Sequence, residues 1–245
     1  MLSVKNATVF RGEKTIFKNY SFDMQNGDVV AILGPNGRGK TTLLKSILSL
    51  LPLNEGEIKI DAQTAYVPQS TQMTFDYLVM DIVLMGRAKH LKFFASPSKK
   101  DYKYAYEILE SLNIEEFAQR KFSELSGGEK QLVFIARAIV SECDFLILDE
   151  PASALDFYNQ KKVLNTLKDL NKEKNLTILY TTHYPQHAMY LSNKVLFMFD
   201  EEDYKFESTN ELMTHEKLSK LYGIPIEKIS FEFKNKNIEA IVPVF

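Results

Sequence analysis

The segment Gly34–Thr41 constrains the fold of this chain more than any other part of the sequence. It reads GPNGRGKT and matches the pattern G-x-x-x-x-G-K-[ST] at every defined position. Glycines let the backbone curl so that several N–H groups converge on phosphate oxygens, while Lys40 supplies a compact positive charge to the β and γ phosphates. Thr41 can place its hydroxyl on Mg²⁺. The segment therefore predicts a site for a nucleoside triphosphate.

The residues on either side of this loop supply the context that such a site requires. Val29–Leu33 is a short apolar run, which predicts a buried strand followed by a tight turn. After the loop, apolar residues recur at helical spacing, at Leu43, Leu44, Ile47 and Leu48. A glycine-rich turn with a surface lysine needs no such order of strand, loop and helix, so we favour the nucleotide site.

Short apolar runs and helical patterns alternate along the rest of the chain. The strand-like runs are Phe145–Leu148, Leu176–Tyr180 and Val195–Phe199. Helical patterns separate them, as at Val163, Leu164, Leu167 and Leu170. This alternation predicts an α/β fold with a largely parallel sheet covered by helices.

We expect one core domain that carries an insertion. The segment 70–125 turns helical, with Ser98 and Asp101 spaced as a capping box, and it predicts a helical subdomain. The core then comprises 1–69 and 126–245.

The tail of the core, 208–245, has a pattern of its own. It predicts one capped helix from about Ser208 to Tyr222. Two strand-like runs follow, Ile229–Phe233 and Ile238–Val244, around a polar turn at Asn235–Asn237.

Composition excludes several classes of protein. The 245 residues, 45% of them hydrophobic, suit a large globular domain, and a net charge of -2 gives no electrostatic case for binding nucleic acid. Cys143 is the only cysteine, which excludes an internal disulfide and a cysteine-cluster metal site and favours a reducing compartment. Met1–Phe10 lacks a signal-peptide pattern, and no apolar run reaches about 18 residues. We therefore expect any membrane role to need a partner chain.

Five further motifs follow the phosphate loop in an order typical of one family. Leu125–Gln131 reads LSGGEKQ, opens a predicted helix and resembles the signature motif of ABC ATPases. Phe145–Glu150 resembles the Walker B strand of that family, and Ser153–Asp156 resembles its D-loop. Gln69 is similar to the Q-loop glutamine, and His183 is similar to the switch histidine.

This resemblance extends from about Leu2 to Tyr222 and implies a P-loop NTPase core with an inserted helical subdomain and an antiparallel β region. It also implies the cofactors ATP and Mg²⁺. The implied catalytic residues are Glu150, which polarises the attacking water, Gln69, which senses metal and water, and His183, which contacts the γ-phosphate. The implied Mg²⁺ ligands are Thr41, Gln69 and Asp149. The implied ATP-binding residues are Phe10, Gly34, Pro35, Asn36, Gly37, Arg38, Gly39, Lys40, Thr41, Thr42, Ser126, Gly127, Gly128 and Asp156.

Phe10 enters this set as the aromatic residue that stacks on adenine, because it precedes Arg11-Gly12 in the first strand region. Phe17 and Phe22 are alternatives for that role, and we expect both to lie in the core.

The resemblance implies an assembly as well. Two copies face head to tail, so that each ATP lies between the phosphate loop of one copy and the signature motif of the other. In an importer this homodimer sits on the cytoplasmic face of the inner membrane beneath two membrane-spanning permease subunits, which receive substrate from a binding protein. No nucleic acid partner is implied.

Two segments indicate which transporters are most similar. Asp81–Arg87 and Leu221–Ile224 resemble the corresponding segments of importers of iron chelates, haem and vitamin B12. We therefore favour a metal-chelate importer, with a molybdate importer as the open alternative. The basic segment Gly86–Lys103 carries six basic residues and one acid, and it is either a solvated face or a contact with the membrane partner or the anionic leaflet.

Two residues depart from the family pattern. Glu129 stands in the signature motif where glutamine is usual, and it either slows hydrolysis by approaching the triphosphate or points away. Arg38 stands in the phosphate loop where a small residue is commoner, and it could add a cation there.

Two rival functions remain to be separated. An ABC ATPase that acts on DNA or ribosomes predicts a long coiled-coil insertion or two cassettes, and the sequence has neither. A P-loop kinase would explain Gly34–Thr41 but would leave Leu125–Gln131 without a role.

Overall fold

The computed structural model describes residues 1–69, 76–91 and 95–244. These residues form two compact units. The first consists of Met1–Asp61 and Leu179–Phe245, and the second of Ala62–Ile178. Among the described residues, no helix has the length and apolar character needed to cross a membrane.

The first unit begins with a three-stranded antiparallel sheet. Its elements in chain order are β1 (Leu2–Arg11), β2 (Lys14–Met24), β3 (Val29–Leu33), α1 (Lys40–Ile47) and β4 (Glu55–Ile60). The sheet has the order β2-β1-β4 and confirms the antiparallel region that the resemblance implies. Phe17 and Phe22 of β2 are buried, which confirms their place in the core.

The second unit contains the three longest helices of the described residues. In chain order it holds β5 (Thr64–Val67), α2 (Val79–Met85), α3 (Lys99–Ser111), α4 (Gly127–Ile139), β6 (Phe145–Leu148), α5 (Phe157–Lys174) and the first residues of β7 (Thr177–Thr181). Short 3₁₀ turns lie at Ala88–His90, Glu115–Phe117 and Phe122–Glu124. β5 and β6 pair in parallel, with Val67 opposite Leu148. α2 packs against α3 and α4.

The first unit resumes in the second half of β7. The elements that follow are α6 (Pro185–Leu191), β8 (Lys194–Met198), β9 (Tyr204–Ser208), α7 (Thr209–Leu212), α8 (His215–Tyr222), β10 (Ile226–Phe233) and β11 (Lys236–Pro243). β3 lies between β7 and β8; it pairs with β8 in parallel, and β9 runs antiparallel to β8. All five residues of β3 are buried, as expected of a strand covered on both faces.

The predicted elements and the observed ones agree closely in the core. β7 begins and ends one residue later than the predicted Leu176–Tyr180, and β8 one residue earlier than Val195–Phe199. Shifts of this size are within the usual uncertainty of element ends. The parallel pairs β3/β8 and β5/β6 confirm the predicted α/β fold.

The helix α3 in the predicted insertion begins at its predicted cap. Ser98 caps α3, and the Asp101 carboxylate accepts from the Ser98 backbone N–H at 2.9 Å, which confirms the predicted capping box. Residues 70–75 and 92–94 of the predicted subdomain lie outside the described residues. Its boundaries at 70 and 125 stay a prediction.

The tail differs from the single helix that the sequence predicts. Ser208 does cap a helix, but α7 ends at Leu212, and Thr214 caps a second helix, α8. The interpretation of one continuous helix is therefore wrong, because a second N-cap interrupts it. The predicted hairpin is confirmed as β10 and β11, although its turn lies at Lys234 and Asn235, both in left-handed backbone conformation.

Candidate functional site

The phosphate loop lies where β3 passes into α1. Gly37 and Gly39 adopt φ values of 76° and 100°, which other residues rarely adopt. A Cβ at Gly39 would lie 2.6 Å from the Ile16 side chain, so the loop also lacks room for one. The curled backbone that the sequence predicts for this segment is thus present.

Lys40 begins α1 with its side chain buried beneath the loop. Its Nζ donates to the carbonyl oxygens of Gly34 at 2.7 Å and Pro35 at 3.1 Å. The residue is only 6% exposed, so its charge is fixed against the loop backbone. A positive charge held in this way suits phosphate oxygens arriving at the loop.

The start of α1 adds backbone donors to the same region. Its N-cap is Gly39, which has no side chain to bond the first N–H groups, and its first turn, which includes Thr41 and Thr42, contains no acidic residue. The first N–H groups of a helix carry no intrahelical bond and form the positive end of the helix dipole. This end of α1 therefore fits the anionic phosphates of a nucleotide.

Arg38 has partners within the first unit. Its guanidinium lies 2.9 Å from the Glu201 carboxylate and donates to the Ile16 carbonyl oxygen at 3.2 Å. The Arg38 charge holds the pKa of Glu201 below its usual range. The suggestion that Arg38 adds a cation at the phosphates is thus not what the structure shows, because Glu201 pairs with it.

His183 follows β7 in the first unit, on a backbone held from two sides. The hydroxyl of Tyr222, at the end of α8, donates to the His183 carbonyl oxygen at 3.1 Å. The backbone N–H of Tyr184 donates to the Thr182 hydroxyl at 3.1 Å, and the rings of His183 and Tyr184 lie 4.2 Å apart. The loop that carries the histidine is therefore anchored to the C-terminal helix.

Phe10 lies near the end of β1 and is 38% exposed. Its backbone N–H donates to the Asn54 side chain at 2.8 Å. A partly exposed ring on a fixed backbone is available for stacking, whereas the rings of Phe17 and Phe22 are buried.

In the second unit, the structure brings Gln69 and Glu150 together. Each follows one of the paired strands β5 and β6, and the Gln69 Nε2 donates to the Glu150 carboxylate at 3.0 Å. Asp149 is 3% exposed, and its backbone N–H donates to the Val67 carbonyl oxygen at 2.9 Å. Burial, together with the Asp149 charge, raises the pKa of Tyr66 to about 12.

Glu150 has an unusual backbone conformation. Its φ of 48° lies in the left-handed region, where residues other than glycine are uncommon. The hydroxyl and the N–H of Ser153 both bond the Glu150 carbonyl oxygen, at 3.2 and 3.3 Å, which closes a tight turn. Such conformations persist where the surroundings determine them, and they often occur at functional sites.

The signature motif forms the N-terminus of α4. Ser126 is the N-cap; its hydroxyl accepts from the Glu129 N–H at 3.4 Å, and the Glu129 carboxylate accepts from the Ser126 N–H at 2.7 Å. These bonds hold the pKa of Glu129 below its usual value. Of the two alternatives for Glu129, the structure shows the carboxylate turned back onto its own helix in a capping box.

Gly128 lies against the start of α5. A Cβ at this position would lie 2.5 Å from the Asn159 side chain, whereas one at Gly127 would make an ordinary contact with Leu155 at 3.5 Å. Asp156 is the N-cap of α5 and accepts from the Asn159 N–H at 2.8 Å and from its side-chain amide at 3.1 Å. Asn159 thus connects the signature helix to the D-loop.

Comparison with known proteins decides the family. The family model described as ABC transporter matches residues 17–153, more than half of the chain. This chain belongs to the ABC transporter ATPase family. As a member of it, the chain binds and hydrolyses ATP.

Individual relatives are similar over nearly their whole length. The molybdate import ATP-binding protein MolC of Haemophilus influenzae is 40% identical over 245 residues, covering 100% of this chain and 96% of the relative. A probable iron chelatin transport ATP-binding protein of Helicobacter pylori is 38% identical over 243 residues, covering 94% of this chain and 95% of the relative.

Solved structures agree. A chain from an inward-facing structure, described as a putative metal-chelate type ABC transporter, has a TM-score of 0.95 and 40% identity, covering 100% of this chain and 97% of that one. The cassette MJ0796, solved as a dimer with ADP and Pi, has a TM-score of 0.73 and 28% identity, covering 85% of this chain and 99% of that one.

The groups of this ABC ATPase fit the cofactors that the family uses. The phosphate loop offers backbone donors and a buried ammonium group in the first unit, and Asp149 offers a buried carboxylate in the second. Among the described residues, no cluster of three or more histidine, cysteine or acidic side chains could hold a metal by itself. Mg²⁺ is commonly bound by one or two carboxylates together with substrate phosphates, and Asp149 is a carboxylate of this kind.

Sequence reasoning missed three residues that support these sites. Asn159 lies three residues after Asp156, a spacing that predicts a cap and could have revealed it. Tyr222 and Glu201 contact His183 and Arg38 from distant parts of the sequence, and no local signal identifies them.

The basic segment Gly86–Lys103 is only partly a charged surface. Arg87 is bonded to the Asp101 carboxylate at 3.1 Å and the Glu142 carboxylate at 3.0 Å, with its side chain 12% exposed. Lys99 and Lys100 are exposed, and Lys92 lies outside the described residues. Arg87 therefore acts within the fold and is not available to a membrane.

Proposed function

We propose that this ABC ATPase energises an importer of metal chelates of the siderophore, haem or vitamin B12 type. The observation that carries the proposal is the TM-score of 0.95, at 40% identity over the whole chain, to the metal-chelate type transporter chain. The segments Asp81–Arg87 and Leu221–Ile224 support the same group.

Molybdate import is the second candidate. It is favoured by the 40% identity to MolC, which also extends over the whole chain. Both candidates share one mechanism, because the membrane and binding-protein partners contact the cargo in such importers while the ATPase supplies energy.

Within this function, each motif has a proposed role. Lys40 and the N–H groups of Gly34–Thr42 bind the triphosphate, and Phe10 stacks on adenine. Ser126, Gly127 and Gly128 at the start of α4 contact the γ-phosphate bound by a second copy, with Asp156 nearby on the D-loop. Thr41, Gln69 and Asp149 are the Mg²⁺ ligands. The metal supplies charge neutralisation on the phosphates.

Glu150 is the proposed general base. The Gln69 amide, 3.0 Å from its carboxylate, can orient it. His183 contacts the γ-phosphate. Since phosphoryl transfer leaves little covalent chemistry to the protein, these groups act mainly by positioning and charge stabilisation.

The assembly proposed is a homodimer closed by two ATP molecules, on the cytoplasmic face of the inner membrane, with two membrane-spanning permease subunits and, indirectly, a substrate-binding protein. Closure on ATP and release after hydrolysis form a two-state element that can drive a transporter.

Uptake assays test the function and its cargo. A strain lacking this chain is complemented with wild type, Lys40→Ala or the control Lys45→Ala, which changes an exposed lysine of α1. Radiolabelled molybdate, ferric siderophore, haem and vitamin B12 are supplied separately. We expect uptake of a metal chelate to return with wild type and Lys45→Ala only.

Restoration of molybdate uptake alone would select the second candidate. Equal uptake of every compound in the deletion strain and in the complemented strain would contradict both.

A further inference from the structure

The hairpin of β10 and β11 carries an exposed apolar face. Alternation along β10 places Ile229, Phe231 and Phe233 on one side. The register adds Ala240 opposite Ile229 and Ile238 opposite Phe231, while Lys236 lies opposite Phe233 at the turn end of this side. The three β10 residues are 48%, 47% and 58% exposed. The five apolar residues Ile229, Phe231, Phe233, Ile238 and Ala240 are called the hairpin face below.

The base of the hairpin packs against the rest of the unit. Ile226 and Ile241 are each 5% exposed, and the Gln186 side chain donates to the Ile241 carbonyl oxygen at 2.8 Å. Beyond the apolar base residues Ile226, Ile241 and Pro243, the opposite side of the ribbon is polar, with an ion pair of 2.8 Å between Lys228 and Glu239. Two-stranded hairpins are marginally stable alone in water, so a solvated apolar face here favours a partner.

The two ends of the hairpin face carry opposite charges. Glu227 lies at the base, on the same side as Ile229 by strand alternation. Lys234 lies in the turn, and its Nζ is 5.4 Å from the centroid of the Phe233 ring, which places it beside the hairpin face. At about 3.3 Å per residue, these two charges lie roughly 13 and 10 Å from Phe231 on either side.

We propose that the hairpin face binds the hairpin face of a second copy of this chain. A two-fold axis near Phe231 stacks the two ribbons antiparallel, with the apolar residues in contact. The acidic end of each copy then meets the basic end of the other, so Glu227 pairs with the partner's Lys234 twice. A surface that is complementary to itself in this way is what an isologous contact requires. An anionic membrane would match only the Lys234 end.

The surface area that the contact buries determines how strongly it can hold two copies together. A ribbon of eight residues and two strands covers roughly 250 Å², so the pair buries on the order of 500 Å², below the roughly 1,200 Å² of stable interfaces. The contact is therefore weak alone, and it adds to a pair that is also held elsewhere. It involves no nucleotide and does not depend on the proposed catalytic roles.

Cross-linking between two different single-cysteine chains tests the arrangement. Glu227→Cys and Lys234→Cys chains, distinguished by a tag, are mixed at high concentration without nucleotide and treated with a short bismaleimide. The proposal predicts a cross-linked heterodimer from the mixture and much less product from either chain alone. Burial raises the pKa of the native Cys143 thiol to about 11, so it reacts slowly, and wild type gives the background.

Two matched substitutions make the test specific to the hairpin face. Phe231→Lys in both chains should lower the heterodimer yield at least tenfold, while Ser230→Lys, on the polar side of the same strand, should leave it unchanged. Adding Lys40→Ala to the mixed chains should also leave the yield unchanged, which separates this contact from ATP binding.

Equal yields from the mixture and from the single chains, or a yield that Phe231→Lys does not change, would overturn the proposal. Flotation with vesicles of phosphatidylcholine and phosphatidylglycerol tests the alternative that a membrane binds the hairpin face. Vesicle binding that Phe231→Lys abolishes, without a specific heterodimer, would assign the hairpin face to the membrane and refute the second copy.

Discussion

Replacing Glu150 by glutamine examines the chemical step most directly. The substitution keeps the size of the side chain and removes the negative charge that is proposed to accept a proton from the attacking water. Loss of a general base typically lowers a rate by roughly 10² to 10⁴ fold, equivalent to about 3 to 5 kcal/mol in the barrier. ATP binding should persist, because the phosphate loop is unchanged. A closed dimer should then accumulate.

The structure indicates that this loss would not come from unfolding. In the variant, the bond from Gln69, 3.0 Å long in wild type, goes to a neutral acceptor. Hydrogen bonds to charged groups contribute about 1 kcal/mol more than neutral ones, which is small beside a typical stability of about 5–15 kcal/mol. Glutamine is unbranched at Cβ like glutamate, so the left-handed φ of 48° costs the same in both.

Phosphate release and size-exclusion chromatography, each with and without Mg²⁺ and ATP, measure the two outcomes. Glu142→Gln is the matched control, because Glu142 also has a left-handed φ, of 58°, and also makes a charged contact. The control should hydrolyse ATP at the wild-type rate. A Glu150→Gln protein that turns over normally and stays monomeric with ATP would refute the catalytic assignment and the ATP-bridged dimer together.

Three further predictions concern neighbouring contacts. Gly128→Ala forces a Cβ against Asn159 and should cost about 1–3 kcal/mol in urea unfolding and lower ATPase activity, whereas Gly127→Ala should leave the free energy of unfolding nearly unchanged. Tyr222→Phe removes the bond to the switch-histidine backbone and should lower kcat while the KM for ATP and the melting temperature change little; an unchanged kcat would contradict this role. Burial, with a smaller contribution from a neighbouring histidine, lowers the pKa of His187 to about 4. The unfolded chain therefore binds a proton that the folded chain does not, so stability should fall from about pH 6.5 to pH 4, and His187→Asn should flatten this fall in urea titrations.

The parts of the fold that the sequence predicts well are those specified by neighbouring residues. The phosphate loop needs glycine at positions of positive φ, and Gly37 and Gly39 occupy them. The capping box of α3 depends on two residues three positions apart, Ser98 and Asp101. Both signals act within one turn of chain, so tertiary packing does not alter them.

Prediction from local signals fails in the tail, 208–245. Ser208 and its capping box give a clear helix start, and the helical pattern continues to Tyr222. The interruption comes from Thr214, which caps a second helix although its N3 residue is Lys217 and completes no capping box. The two helices pack against different strands, α7 against β9 and α8 against β10. A weak local cap at Thr214 is therefore enough to end one helix and begin the next.

The two departures from the family pattern also differ in how far they can be predicted. Glu129 follows Ser126 by three residues, so its capping role is readable from the sequence alone. Arg38 pairs with Glu201, which is distant in sequence, and only the folded unit brings them together. In each case the charged side chain is bonded within its own unit: the Glu129 carboxylate by the N–H of the N-cap Ser126, and the Arg38 guanidinium by the Glu201 carboxylate. The donors of the phosphate loop and of the signature helix are therefore retained, and this is why neither departure argues against ATP hydrolysis.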